Sequence, residues 1–364
     1  MDKASAREWV EHIRTLAAQR DEPIRLMEIC GTHTVSLFRS GVKDLLGDTL
    51  KLISGPGCPV CVTSQGYIDA ACELAGRGDV TICTYGDMVR VPGRSGSLEQ
   101  HKASGADVRI VYCPRDAVKV AADHPDRQVV FLAIGFETTA PATAAAIIEA
   151  EQKGVTNFFA LTAHKLVIPA VSALLSGGAA LDGLLCPGHV SIILGADAYQ
   201  VVVDGWGVPC VIAGFEPAGM LTGIARLVEQ VIAGEARVDN AYGVAVKPEG
   251  NRAALELLDR VFAPADAVWR AIGTIPDSGL QLRPEYARFD ACEQLGVAIG
   301  EDYEPEGCLC GQVIQGLAEP GQCPLFATAC TPLAPVGPCM VSSEGTCAAW
   351  YKYNRRPGQK ATND

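Results

Sequence analysis

The sequence predicts an α/β fold: two similar parallel-sheet α/β domains followed by a small cysteine-rich piece. Three observations lead there. Short apolar runs each end in a polar or Gly/Pro turn and are followed by a helical pattern, at a spacing that means βαβ crossovers. Two of those runs end in the same tripeptide, Gly135-Phe136-Glu137 and Gly214-Phe215-Glu216, which points to two domains of related build. From about Ile275 onward the chain turns irregular and Pro/Gly-rich, and six cysteines crowd between Cys308 and Cys347. The expected domains are residues 1–125, 126–270 and 271–364.

Composition narrows the function. A chain of 364 residues is long enough for two or three separate cores. Its hydrophobic fraction of 48% with 20% charged residues is that of an ordinary globular protein. The formal net charge of −12 argues against nucleic acid as a partner, because phosphate neutralisation needs a basic face. No apolar run approaches the ~18 residues of a membrane span. Met1 to Arg20 reads as an amphipathic helix with Trp9, Ile13 and Leu16 on one side, and it lacks the apolar stretch of a signal peptide. The expected location is therefore cytoplasmic, where thiols stay reduced. Fifteen cysteines in such a setting read as metal ligands or redox groups rather than a disulfide framework. Cys72, Cys83, Cys113, Cys186, Cys210 and Cys292 lie mostly in apolar runs and read as packing.

In chain order, Pro23 to Ile29 is a short buried strand that delivers Cys30, and a helical pattern follows from Val35 to Leu46. A thiol on that turn sits where the helix dipole and free N–H groups favour the thiolate. His33 is close enough in sequence to assist Cys30, and Glu28 and Thr32 add polar groups at the same strand end, where ligands bind in α/β folds. The plainer reading is a buried cysteine in a turn. The strand Leu50–Ser54 runs into Gly55-Pro-Gly-Cys58-Pro-Val-Cys61 and the helix Ser64–Ala75. A C-x-x-C at a helix start after a strand is the layout of a redox dithiol. A zinc half-site is the alternative, but no second C-x-x-C completes it.

Strands are expected at Val80–Thr84, Val108–Tyr112 and Gln128–Ile134, with helices at Arg115–Ala122 and Ala142–Gln152. No phosphate-binding glycine fingerprint occurs. A second series follows: strands at Phe158–Thr162, around Leu184, at Tyr199–Val203 and at Val208–Ala213, with helices at Leu221–Ile232 and Asn251–Val261. Glu137 and Glu216 are candidates to face a shared cleft, or else to stabilise helix N-termini. His164, ahead of Lys165, and His189, in Cys186-Pro-Gly-His189, are candidates for the cleft or for structural hydrogen bonds.

The tail carries Cys308, Cys310, Cys323, Cys330, Cys339 and Cys347 with no strand alternation or helical stripe to supply a core of its own. Such a segment needs a staple, either disulfides or a metal centre.

Cys30-Gly-Thr-His, Gly55-Pro-Gly-Cys-Pro-Val-Cys61, Gly135-Phe-Glu-Thr-Thr, Cys186-Pro-Gly-His189 and Met340-Val-Ser-Ser-Glu-Gly-Thr-Cys347 together resemble the HypD family of [NiFe]-hydrogenase maturation scaffolds, over nearly the whole chain. The resemblance implies two α/β domains plus a small iron–sulfur domain. It implies a complex with the chaperone HypC, on which iron receives CO and two cyanides, the cyanide coming from HypE and, upstream of it, HypF. It makes Cys30 the iron ligand and Cys58/Cys61 the redox dithiol. The expected cofactors are one [4Fe–4S] cluster and a transient iron carrying CN and CO. The tail also resembles ferredoxin:thioredoxin reductase in its C-x-C usage. By that analogy Cys308, Cys323, Cys330 and Cys347 bind the cluster, and Cys310 and Cys339 form an adjacent redox disulfide. The residues leave two rival readings open, a cysteine enzyme with Cys30 as nucleophile and His33 as base, and a zinc-stabilised binding module.

Overall fold

The computed structural model describes residues 3–354. Eleven strands alternate with helices: β1 Ile24–Glu28, β2 Leu50–Ser54, β3 Val80–Thr84, β4 Asp107–Ile110, β5 Gln128–Gly135, β6 Phe158–His164, β7 Gly183–Pro187, β8 Cys210–Ala213, β9 Val238–Asn240, β10 Phe262–Trp269 and β11 Gly273–Leu282. Two wholly parallel sheets result, ordered β2-β1-β7-β8-β9 and β4-β3-β5-β6. The expected α/β class with two parallel sheets is what the chain forms.

The sheets do not divide the chain at residue 125. The first sheet takes two strands from before residue 55 and three from after residue 182, and the second sheet is built wholly from the stretch between them. Each Gly-Phe-Glu turn ends an inner strand, β5 in one sheet and β8 in the other. Inner strands are covered on both faces, so their sequences are unbroken apolar runs rather than alternating ones. Indeed the β5 residues from Val129 onward are all buried.

Three apolar clusters hold the layers. One lies behind the first sheet, where Val10, Ile13 and Ala17 of the helix Lys3–Ala17 meet Leu221, Ile224 and Val228 of the helix Pro217–Ala233. Another lies behind the second sheet, with Phe131, Ile147, Phe158 and Phe289. The largest runs between the sheets and takes in Met27, Ile53, Tyr67, Leu132 and Leu184.

Three local expectations change. Tyr199–Val203 is not a strand: Gln200–Trp206 is a helix ended by Gly207 in the left-handed region (φ 63°). Val202 and Val203 are buried there while Val201 and Asp204 are exposed, and Gln200 donates to Asp204 one turn on at 2.8 Å. The neighbouring β-branched residues imitate a strand, but one-sided burial at helical spacing decides against it. Gly41 (φ 73°) splits the expected helix Val35–Leu46 into Gly31–Ser40 and Val42–Leu46. Finally, residues 262–282 form an antiparallel hairpin with a bulge between Ala265 and Ala267, in a region where the sequence gives no clean period.

The tail has only short helices, Cys310–Ile314, Pro338–Val341 and Thr346–Tyr353, joined by loops. Its buried residues, among them Val313, Ile314, Cys339, Met340 and Cys347, join the cluster between the sheets. The tail therefore lies against both sheets rather than around a core of its own.

Candidate functional site

β1 and β2 are adjacent parallel strands, so the loops leaving their carboxyl ends emerge side by side. One carries Cys30, the other Cys58 and Cys61. The Gly31 N–H donates to the Gly57 carbonyl at 3.2 Å, and Gly57 lies so close to the Cys30 backbone that a Cβ there would overlap it. Glycine is required at 57 by this approach. Cys30 is the N-cap of the helix Gly31–Ser40, and Cys58 is the N-cap of the short helix Pro59–Val62. Cys58 and Cys61 form a disulfide, with Cα atoms 5.2 Å apart. The Cys61 N–H also donates to the Cys58 sulfur at 3.2 Å.

Cys30 is 9% exposed. Burial pushes its thiol up to about 11, against the backbone N–H groups of His33 and Thr32 that favour the thiolate, and the Glu344 carboxylate adds to the rise. The expected acidified thiol is therefore not found in this closed arrangement, because loss of solvation outweighs the helix end. Glu344 arrives from the tail: the Thr32 hydroxyl donates to its Oε1 at 2.7 Å, and its own backbone covers Gly31. Below the loop, buried Glu28 accepts from the Thr34 and Ser54 hydroxyls at 2.7 Å each.

His33 is fully buried, and Nε2 faces the carbonyls of Ala213 and Gly214 at 3.3 and 3.2 Å. Two carbonyl acceptors require the proton on Nε2. Burial lowers its pKa to about 4, and Nδ1 has no partner, the Cys30 sulfur included. The imidazole is thus not placed as a base for Cys30. Its ring lies 4.9 Å from that of Phe215, and Phe215 stacks on exposed His189 at 3.9 Å. The stack brings His33 and His189, from two sequence motifs, to the end of one sheet.

Glu137 and His164 belong to the other sheet. Glu137 Oε1 accepts the Val167 N–H at 2.8 Å, at the start of the helix Val167–Ser176, which is the helix-stabilising role. Burial raises its pKa to about 7. His164 Nε2 meets the Thr143 hydroxyl at 3.0 Å, and burial lowers its pKa to about 4. Glu216 is the exposed N-cap of the helix Pro217–Ala233, so the two glutamates do not share an environment.

In the tail, Cys339 is flanked by the thiols of Cys310 and Cys347, which with burial push its pKa well up. Contacts from Cys310 and then Cys339 lower Cys347 to about 6. The Cys308 and Cys310 sulfurs lie 2.9 and 3.0 Å from where a Cβ on Gly337 would sit, so only glycine fits beneath them. Cys330 accepts the Val336 N–H at 3.3 Å. Charges on Cys308 and Cys310 raise its pKa, after burial. Five thiols thus converge. Cys323 is half-buried, its thiol donating to the carbonyl of Gly307, the residue before Cys308, at 3.7 Å. Among the described residues no group of three or more ligands is arranged around one metal ion, so the sulfurs meet in neighbouring contacts rather than about a single coordination point. Five converging thiols, four of them buried, are the soft sulfur donors that a multi-iron cluster takes.

Two residues at this junction escape a sequence reading. Glu344 meets Thr32 across 312 positions, and Arg270 lies buried between the Cys61 turn and the tail. Arg270 belongs to no local pattern that would single it out, and Glu344, although it lies within the motif Met340–Cys347, has a partner no local pattern discloses.

Comparison with known proteins covers the whole described chain. The HypD model, described as the hydrogenase formation hypA family, matches residues 4–354. A putative hydrogenase expression/formation protein of Methanocaldococcus jannaschii is 44% identical over 354 residues, covering 97% of this chain and 98% of that protein. Hydrogenase maturation factor HypD of Escherichia coli is 43% identical over 356 residues, covering 96% and 95%. Its namesake in Cupriavidus necator is 44% identical over 363 residues, covering 97% and 96%.

Proposed function

Because the chain belongs to the HypD family, we propose that it serves hydrogenase maturation as a scaffold, holding an iron ion at Cys30 while cyanide and CO are attached. The observation that carries this reading is the junction itself. The Cys30 loop touches the Cys58–Cys61 loop, and Glu344 of the thiol-rich tail closes over the Cys30 loop at Gly31 and Thr32. Iron is the substrate here. Low-spin iron with cyanide and CO suits a soft sulfur ligand. Binding of the metal displaces the Cys30 proton, which offsets the penalty that burial places on the bare thiolate.

The redox need follows from the donor chemistry. A partner carrying a thiocyanate, the role assigned to HypE with HypF upstream, releases cyanide when its sulfur–carbon bond takes up two electrons. Oxidation of the Cys58/Cys61 dithiol supplies them. One sulfur–sulfur bond forms, the donor keeps its sulfur as a thiol with one of the two released protons, and the other proton goes to solvent. In this reading the Cys58–Cys61 disulfide would be the spent form of that pair. HypC is the partner that shares the iron.

Cys308, Cys330 and Cys347, with a fourth thiol, would hold a [4Fe–4S] cluster, and such a cluster supplies electrons one at a time. Cys310 and Cys339 adjoin, as a redox disulfide requires. Cys323, whose thiol lies against Gly307 beside Cys308, is the candidate for the fourth ligand, and the Cys323→Ser variant decides it. Anaerobically purified protein should contain about four iron and about four sulfide per chain. Stoichiometric zinc without sulfide would refute the cluster, and with it this reading of the tail.

A further inference from the structure

Between the two thiol sites runs a short strap, Trp269-Arg270-Ala271, where the hairpin β10–β11 turns. On one side it pairs with the residues that follow Cys61. Trp269 bridges to Thr63, the Arg270 N–H donates to the Val62 carbonyl at 2.9 Å, and Arg270 Nε donates to the Thr63 carbonyl at 2.9 Å. Arg270 Nη1 donates to the Gln65 side-chain oxygen. On the other side the strap is pressed by the helix that begins at Cys310. A Cβ on Gly311 would overlap the Ala271 side chain, and Gln315 donates to the Ala271 carbonyl at 3.0 Å. Asp302 clamps the assembly, accepting from the Gln65 N–H at 2.7 Å and the Ala271 N–H at 2.9 Å.

The guanidinium is 1% exposed, and Nη2 has no hydrogen-bond partner. All acceptors it does have are neutral. A buried, permanently charged group with a free donor is costly unless negative charge compensates it. The groups near enough for charge to act on it are the thiols of Cys310 (whose helix presses on the strap at Ala271), Cys339 and Cys308, and Asp302, both of whose oxygens already accept backbone N–H groups.

We propose that Arg270 is a positioning residue that joins the Cys58–Cys61 turn to the C-terminal thiols and offsets, with its charge and free Nη2, the negative charge of the centre those thiols hold. This rests on the reading of the tail as an iron–sulfur site. Two neutral acceptors, the Thr63 carbonyl and the Gln65 side-chain oxygen, fix the guanidinium on the dithiol side, so its charge cannot swing away to solvent. A fixed positive charge favours the reduced, more negative state of a neighbouring redox centre. Arg270 thereby raises the readiness of the tail centre to accept an electron.

The test uses the full chain, purified anaerobically as wild type, Arg270→Lys and Arg270→Met. Iron and sulfide are measured first. Each sample is then reduced stepwise with dithionite and mediator dyes while visible absorbance and electron paramagnetic resonance are followed. Arg270→Met should shift the one-electron equilibrium towards the oxidised form by about tenfold, a midpoint lower by about 59 mV. Arg270→Lys, which keeps the charge, should stay closer to wild type. A loaded Arg270→Met protein with an unchanged midpoint overturns the proposal. If Arg270→Met fails to assemble the centre, the Lys variant decides. Assembly with a near wild-type midpoint supports the charge role, whereas loss in both variants overturns it in favour of a purely structural one. Wild type without iron and sulfide sinks the iron–sulfur reading itself, a result distinct from the other two.

Discussion

The two thiol sites are held by different means. Cys30 and Cys58 each follow a strand of one sheet and each begin a helix, so the ladder between β1 and β2 sets where their backbones lie. The five converging tail thiols have no strand beneath them. Short helices and loops carry them, and their sulfurs lie mainly against one another. The first site is thus organised by the sheet itself, whereas the second rests on short helices and loops packed into the cluster between the sheets.

The largest effect should come from breaking that contrast at the tail. Cys347→Ser removes a buried thiol in contact with Cys310 and Cys339, and should abolish visible absorbance and bound iron while making the tail sensitive to protease. Cys58→Ser should leave both properties unchanged. Equal losses in the two variants would mean that the sites are not independently held, and iron analysis with limited proteolysis distinguishes the cases.

Next in size is the strap between the sites. Trp269 is fully buried, its Nε1 donates to Ser278 at 2.8 Å, and its ring lies 6.0 Å from that of Phe136. Trp269→Ala should cost about 3–5 kcal/mol, the range for deleting a buried aromatic. Urea denaturation measures it, and a cost under about 1 kcal/mol would contradict the packing described.

The third prediction separates structural from chemical carboxylates. The pKa of Glu137 is about 7 folded against 4.5 as the ordinary value. A raised folded pKa gives stability that is fully present below pH 4.5 and is lost as pH rises through about 7. Glu137→Gln keeps the acceptor for Val167 and cannot ionise. Its stability relative to the parent should therefore grow by about 3 kcal/mol between those limits. A flat difference across that range would show that the carboxyl is not buried as described.

The smallest effect concerns the contact that joins tail to sheet. Thr32→Val deletes the bond to Glu344 and should cost about 1 kcal/mol, with faster hydrogen exchange at Gly345 and Thr346. Unaltered exchange there would show that the tail is anchored elsewhere.

How much of this was legible beforehand follows the same division. Strands such as Leu50–Ser54 and Val80–Thr84 are found at their expected positions, since buried parallel strands are short apolar runs closed by turn residues. The placing of Cys30 and Cys58 at strand-to-helix turns was readable for that reason. The sheet partners were not. Nothing in β1 specifies that β7, more than 150 residues later, lies beside it. Arg270 and Glu344 escaped because their partners are remote in sequence, and the fate of His33 depended on two carbonyls of β8 and its following turn. The Tyr199–Val203 misreading came from β-branched residues whose helical spacing shows only once burial is known.

The most direct test of the central claim is infrared spectroscopy of the chain purified anaerobically with HypC, the partner proposed for it, compared with the Cys30→Ser variant. The account predicts cyanide and CO stretches in the parent complex. It predicts their loss in the variant, which should still bind the partner and retain the tail's iron and sulfide. Cyanide and CO bands persisting at parental intensity in Cys30→Ser would contradict it.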